Sequence, residues 1–376
     1  MYERFETRPS MDPLRIAVLA HLHHPIRPPF AGGMEAHTSH VVADLCARGH
    51  EVTLFAKAGS AHFGRNSRGR VQAVLPADYQ VRGYPDEDHR DEQHRRLDGA
   101  MSAAISAVRA GAFDVVINNS LSPIPHEQLD GIPTLHLLHT PPLPRITAVL
   151  ATRPERPHGH RYATVSHSNA RAWRAWIPDL AVIPNGIDLR RWEPGRKDRI
   201  VPGTAAWTGR ITPEKGTHLA IAAARANGLR LRLAGPIQDP EYYESLIRPS
   251  LDDKVRYMGH LGQDQLREVI ASAQVFISSP LWEEPFGLTT LEAMACGTPV
   301  AATPNGAMAE LIGASGGVVA CTADEAGLAN AIRQAVGLRR TDVLQRAAQF
   351  SRDQMIRSYE EALYDLHAAQ SLGRVQ

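Results

Sequence analysis

Residues 205–227 read AAWTGRITPEKGTHLAIAAARAN, and residues 229–234 follow as LRLRLA. The opening AAWT suits a short buried strand, 213–227 a helix and 229–234 a second strand. A strand, a Gly-bounded turn and a helix leading to another strand make one βαβ unit of a parallel sheet. Toward the C-terminus the alternation continues, with helix 241–251, strand 255–259, helix 263–273, strand 275–278, helix 290–296 and strand 299–302. Residues 341–369 carry a further helical pattern.

Toward the N-terminus the chain breaks into Pro, Gly and charged residues over 182–199 (VIPNGIDLRRWEPGRKDR), and beyond that break the alternation returns. Residues 14–20 (LRIAVLA) are apolar except for Arg15, as expected of a strand buried on both faces. A loop containing Pro and His closes on Gly32–Gly33, and a helix is expected over 35–48, with Val41, Val42, Leu45 and Cys46 inward. Gly49 stops that helix, and 51–56 returns as a strand. A helical stretch follows at 91–110, then strands at 114–118, 134–139 and 163–166. The segment 64–96, rich in Arg, Asp and Glu, reads as a surface insertion with solvated charges. Two doubly wound, Rossmann-like α/β domains are therefore expected, facing each other across a cleft at the carboxyl ends of their strands. Their boundary is expected near 175–200, giving domains over 1–180 and 181–350, with a terminal helix at 351–370 packing back on the first.

The bulk numbers fit this. A chain of 376 residues exceeds what one core organises, and 43% hydrophobic with 22% charged residues is ordinary for a globular enzyme. A formal net charge of +1 gives no electrostatic case for a nucleic-acid partner. Cys46, Cys296 and Cys321 have neither pairing nor metal-ligand spacing. The first thirteen residues lack an apolar core of the kind a secretory signal carries, and no apolar run nears the roughly 20 residues that span a bilayer. A cytoplasmic protein with at most peripheral membrane association is expected.

The strand ends carry the chemistry. In GRITPEKG (209–216), Arg210 and Lys215 stand at the cleft mouth between Gly209 and Gly216, two cations suited to a diphosphate. In EPFGLTTLE (284–292), Pro285 and Gly287 mark a turn before a helix. The free N–H groups of that helix start, with those of Phe286, Gly287, Leu288 and Thr289, make a phosphate cradle. Glu284 lies in the loop and Glu292 within the first helical turn, and a carboxylate can accept hydrogen bonds from both hydroxyls of a diol.

Taken in order, GGMEAH (32–37), ARGHEV (47–52), IPNGID (183–188), GRITPEKG, the E-x7-E pair Glu284/Glu292, NGAMAE (305–310) and SRDQMIRSYEEALYDL (351–366) resemble the retaining glycosyltransferases of family 4, which have the GT-B fold. Ala307 and Ala309 depart from the family's Gly-Gly-x-Pro-Glu loop. The resemblance implies a nucleotide-sugar donor, UDP-sugar preferred and GDP-sugar possible, and a small-molecule, glycan or lipid-linked acceptor. It implies that Glu292 holds the ribose, Glu284 the sugar hydroxyls, Arg210 and Lys215 the diphosphate, and Gly33 part of the phosphate cradle. His139, after TLHLLH, matches the family's cleft histidine. No metal or other cofactor is expected, since two cations stand where a divalent ion serves elsewhere, and front-face attack is the implied route to retention.

Other readings narrow. A nicotinamide dehydrogenase needs G-x-G-x-x-G after the first strand, and none is present. A sugar-nucleotide epimerase of GT-B architecture stays open as an alternative, because it would share the nucleotide cleft. His21, His23 and His24, and His37, His40 and Asp44, match no zinc signature. Loop 21–30 is expected to help form the acceptor pocket, and Trp207 and Trp282 to pack, with Trp282 close enough to Glu284 to border the sugar. Arg145, Arg153, Arg156 and Arg161 are expected on a solvated surface, with an anionic acceptor or lipid headgroups as the alternative partners.

Overall fold

Thirteen parallel strands form two sheets in a computed structural model that describes residues 12–61, 68–81, 91–153, 155, 157–194 and 200–373. The first sheet holds β1 (Arg15–Ala20), β2 (Glu51–Lys57), β3 (Gly69–Leu75), β4 (Val115–Asn119), β5 (Thr134–Leu138), β6 (His160–Thr164) and β7 (Ala181–Val182). Its helices are α1 (Gly33–Ala47), α2 (Asp91–Ala110), α3 (Ile124–Gln128), α4 (Pro144–Thr152) and α5 (His167–Trp173). The second sheet holds β8 (Thr204–Thr208), β9 (Arg230–Ala234), β10 (Val255–Tyr257), β11 (Val275–Ser278), β12 (Val300–Ala302) and β13 (Gly317–Val319). Around it run α6 (Thr217–Ala226), α7 (Pro240–Tyr242), α8 (Gln263–Ser272), α9 (Leu288–Ala295), α10 (Met308–Ile312), α11 (Glu325–Ala335) and α12 (Arg340–Ala347), with α13 (Arg352–Gly373) ending the chain.

The strand orders are β3-β2-β1-β4-β5-β6-β7 and β10-β9-β8-β11-β12-β13. Each sheet reverses direction of winding once, between β1 and β4 and between β8 and β11. At such a switch point the connections leave on opposite faces and open a crevice beyond the strand ends. The alternation of β1 shows how the sheet is buried: Ile16, Val18 and Ala20 enter one apolar cluster and Ala17 and Leu19 another. The first of these clusters is completed by Met355, Ile356, Tyr359, Leu363 and Leu366 of α13. Arg48 pairs with Asp353 and Glu360, and Arg352 with Asp44 and Asp188. The last helix therefore packs on the first sheet, and the bridge between Ile187 and Ser351 sets the two chain crossings side by side.

Several sequence expectations change. The surface insertion expected over 64–96 contains an edge strand, β3, paired along β2, while 64–67 and 82–90 lie outside the described residues, as does Arg156. The helix expected over 213–227 is a 3₁₀ turn (Pro213–Lys215), a left-handed Gly216 and then α6. The helix expected over 241–251 becomes α7, a π turn (Tyr243–Ile247) and a 3₁₀ turn (Arg248–Ser250) that contains Pro249. Among the described residues no helix is long and apolar enough to cross a membrane.

Candidate functional site

Both switch points open into one cavity of about 1260 Å³ between the sheets. It is lined by every residue that the sequence places at the donor site: Gly33, His139, Gly209, Arg210, Lys215, Glu284, Phe286, Gly287, Leu288, Thr289 and Glu292. The halves also touch across it. A Cβ on Gly33 would lie 2.9 Å from Leu288 Cδ1, so the start of α1 sits directly against the first side chain of α9. His260 Nε2 is 3.1 Å from the Phe30 carbonyl oxygen, and the Glu310 carboxylate accepts from the N–H groups of His167 (2.9 Å) and Ser168 (3.0 Å).

On the second-sheet side, the 3₁₀ turn after β8 places Lys215. Gly216 makes this possible: its φ is +62°, and a Cβ there would lie 2.1 Å from the Ser279 carbonyl oxygen. The Ser279 hydroxyl binds the carbonyls of Lys215 and Gly216, tying the turn to the end of β11. Lys215 Nζ then lies 2.5 Å from Glu284 Oε2, and the same oxygen accepts from Trp282 Nε1 at 2.9 Å. The ammonium also stands 5.0 Å from the Trp282 ring centroid. Trp282, expected to pack beside Glu284 and border the sugar, is thus a polar member of the site. The other expectation of packing fits Trp207, whose buried ring donates to Ser279 Oγ at 3.0 Å. Arg210 donates to Gln238 Oε1 at 3.0 Å and faces Glu214 at 3.6 Å.

Glu284 is held through its backbone. Its carbonyl accepts from Ala307 N at 2.8 Å, and Glu283 accepts from Gly306 N at 3.1 Å, so loop 305–310 buttresses the acid from behind. Glu292 corrects an expectation. Gly287, at φ +93°, is the N-cap of α9, so the helix begins at Leu288 and Glu292 falls in its second turn. Half-buried on the cavity wall, its carboxyl is pushed up to about 8 by burial. No side chain caps the start of α9, which leaves the N–H groups of its first turn facing the cavity.

The first-sheet side is built of imidazoles. The rings of His139 and His37 meet at 4.4 Å, and His37 in turn reaches the Tyr359 hydroxyl at 3.1 Å and Asn119 Nδ2 at 3.4 Å. Burial holds His139 at about 3, with His21 adding to the effect, so its ring is neutral near pH 7. Glu35, missed in the sequence, sits at the third position of α1 and reaches back to its own N–H and that of Gly32. Its carboxyl is raised by burial against those bonds. This is half of a capping box, and a glutamate three residues after a helix-opening glycine was the available signal. Asp44 pairs with Arg352, and among the described residues no cluster has the makings of a metal site. The arginines on this side are paired: Arg145 with Asp98, Arg153 with Asp130 and Arg161 with Asp365.

Comparison with known proteins follows the same two halves. Residues 31–191 match the family described as Glycosyltransferase Family 4, and residues 202–337 the family described as Glycosyl transferases group 1. The chain is 27% identical over 348 residues to the glycogen synthase of Mycobacterium tuberculosis, covering 81% of this chain and 83% of that one. It is 27% identical over 383 residues to the D-inositol 3-phosphate glycosyltransferase of Actinosynnema mirum, covering 86% and 90%. The fold superposes on that of Anabaena HepE in complex with UDP-glucose with a TM-score of 0.73 at 16% identity, covering 94% of this chain and 100% of that one.

Proposed function

The chain belongs to glycosyltransferase family 4, as a retaining enzyme that uses a nucleotide-sugar donor, and on that premise we propose that it transfers a sugar from a UDP-sugar to an acceptor hydroxyl by front-face attack, without a divalent metal. Residues 181–350 form the donor unit, and residues 1–180 with the helix at 351–370 the acceptor unit. The observation that carries this reading is the Lys215–Glu284–Trp282 cluster, set against the uncapped start of α9 in one cavity.

Each part has a task. The diphosphate draws Lys215 away from Glu284, and Arg210 provides the second cation. The N–H groups of Gly33 and of Gly287–Thr289 complete the cradle. Glu284, released from Lys215 but still fixed by Trp282, accepts from hydroxyls of the transferred sugar. Glu292 takes the ribose diol, and neutral His139 offers Nε2 to the donor sugar. The acceptor oxygen bonds to the anomeric carbon as its bond to the diphosphate breaks. The electron pair leaves with the diphosphate, and the hydroxyl proton passes to a phosphate oxygen on the same face. Negative charge grows on the leaving group during this step, so the cations stabilise the transition state more than the ground state.

The base assignment leans on the UDP-glucose bound by HepE, and it is open to a direct test. Thermal shift with UDP-, GDP- and ADP-glucose, each with and without EDTA, separates the possibilities. A ligand at a hundred times its Kd adds about 2.7 kcal/mol of stability. Stabilisation by UDP-glucose alone, indifferent to EDTA, is the expected result. A shift from GDP- or ADP-glucose instead overturns the base, loss of the shift in EDTA overturns the metal-free mechanism, and no shift at all overturns the donor cleft.

A further inference from the structure

We infer that the first-sheet wall of the cleft is a subsite for an uncharged, polyhydroxylated acceptor, and that it discriminates against phosphorylated or carboxylated ones. The inference rests on the glycosyltransferase reading and deepens it by naming the acceptor's chemical class.

The charges lining the cavity are unevenly distributed. Its cations are Arg191, Arg210 and Lys215, and each already has an acidic neighbour: Asp264, Glu214 and Glu284. Lys215 and Arg210 are carried by the second sheet, with Arg210 within electrostatic reach of Glu35 across the cleft, and Arg191 lies on the segment joining the sheets, within reach of His40 of α1. Along the first-sheet wall, from the loop after β1 through α1 to the end of β5, the described lining residues include no Lys or Arg. Of the cations near that wall, Arg27 is exposed and outside the lining, and two others are committed elsewhere. Lys57 is buried and donates to the His23 carbonyl oxygen at 3.3 Å, and Arg145 pairs with Asp98. The one acid lining this wall, Glu35, would repel an anion wherever it is ionised.

In place of cations the wall holds hydrogen-bonding groups without partners. His21 is fully buried, and neither of its ring nitrogens makes a hydrogen bond, although Nε2 lies 3.5 Å from Glu35 Oε1. Both ring nitrogens of His23 are likewise enclosed without a partner. Burial holds both imidazoles at about 3, so each presents one donor and one acceptor near pH 7. Leaving such groups unmade is costly, and a ligand that satisfies them recovers the loss. Hydroxyls, which both donate and accept, match a row of neutral imidazoles. A phosphate brings acceptors only, and would have to shed its hydration where no cation replaces it. Phe30 and Leu121 supply apolar surface on the same wall for the C–H faces of a ring.

Matched acceptor pairs test this in the full chain, with UDP-glucose as donor: maltose and maltose 1-phosphate, glucose and glucose 6-phosphate, inositol and inositol 3-phosphate. Transfer is read by mass spectrometry of the product, and acceptor binding by its effect on UDP-glucose hydrolysis. The expected result is that the uncharged member wins in each active pair, by tenfold or more in kcat/KM. His23→Ala should raise the acceptor KM by about tenfold and leave the UDP-glucose KM unchanged, and His23→Gln should recover part of the loss. A phosphorylated member that outperforms its parent overturns the proposal. So does silence of every uncharged member while UDP still stabilises the protein, an outcome that leaves the donor reading standing. Failure of UDP to bind removes the premise itself.

Discussion

The two walls of the cleft rest on nearly the same scaffold and carry opposite chemistry. Each is the carboxyl edge of a parallel sheet at its switch point, followed by a helix whose start faces the cavity. On the second-sheet wall the groups are charged and paired, with Lys215 on Glu284 and Arg210 near Glu214. On the first-sheet wall they are imidazoles that burial keeps neutral. Even the helix starts differ, for α1 is closed by its own Glu35 while α9 is uncapped. A doubly wound sheet thus supplies a position for ligands, and the loops decide whether that position reads charge or hydroxyls.

The largest effect that can break this contrast is acid instability. His21, His23 and His139 at about 3, and His40 at about 4, all lie below the unfolded histidine value near 6.5. Between those limits the unfolded chain binds more protons than the folded one. The stability they contribute is therefore complete above pH 6.5 and lost as pH falls, by about 1.4 kcal/mol per pH unit for each. Glu292 and Glu35, with raised values, act in the opposite sense, but the histidines outnumber them. Urea melts at pH 5, 6.5 and 8 should show a clear loss at pH 5, and a flat profile would mean the imidazoles are hydrated.

Next in size, Lys215→Ala should lower kcat by roughly 10–100-fold if the ammonium stabilises the leaving diphosphate by about 1.5–3 kcal/mol. Turnover unchanged at saturating donor would move the catalytic charge off that wall. Glu292 gives a smaller and sharper signal. Below about pH 8 its carboxyl is largely protonated, so a diol that prefers two acceptors must expel that proton on binding. UDP-glucose affinity should rise with pH by up to about tenfold per unit and level off above 8, and Glu292→Gln should abolish the dependence. A flat wild-type profile would show that the neutral acid binds the ribose. Smallest is Glu310→Ala, which removes the carboxylate bound to the first N–H groups of α5 across the cleft. Its expected cost, by analogy with loss of a helix cap, is about 1 kcal/mol in denaturant unfolding.

What could be read from the sequence follows from burial. Strands covered on both faces appear as unbroken apolar runs, so β1 and β11 stood out at residues 16–20 and 275–278. An edge strand does not have this signature: GRVQAVL in β3 is half exposed, and its Arg70 and Gln72 resemble the charged segment around it. The three-residue β13 is too short to show a period. At the site, glycine-bounded turns located Arg210, Lys215 and Glu284 near one another along the strand ends. The depth of Glu292 depended on a left-handed Gly287 starting the helix two residues early, which spacing alone does not reveal. Trp282 matters through contacts made by folding, whereas Glu35 carries its signal locally, three residues after Gly32.

The packing of α13 on the first sheet has a consequence for biosynthesis. His37 on the cleft wall is hydrogen-bonded to Tyr359, 322 residues later in the chain. At ribosomal speeds of about 5–20 residues per second, that partner is made roughly 15–60 s after the wall it completes. For that interval the first sheet carries an uncovered apolar groove, later filled by Met355, Ile356, Tyr359, Leu363 and Leu366. The second sheet, whose strands lie between, can finish its own core while the first still waits. The half that is translated first is thus the half that folds to completion last, and a transcript cut short before codon 352 leaves the cleft without one of its supports.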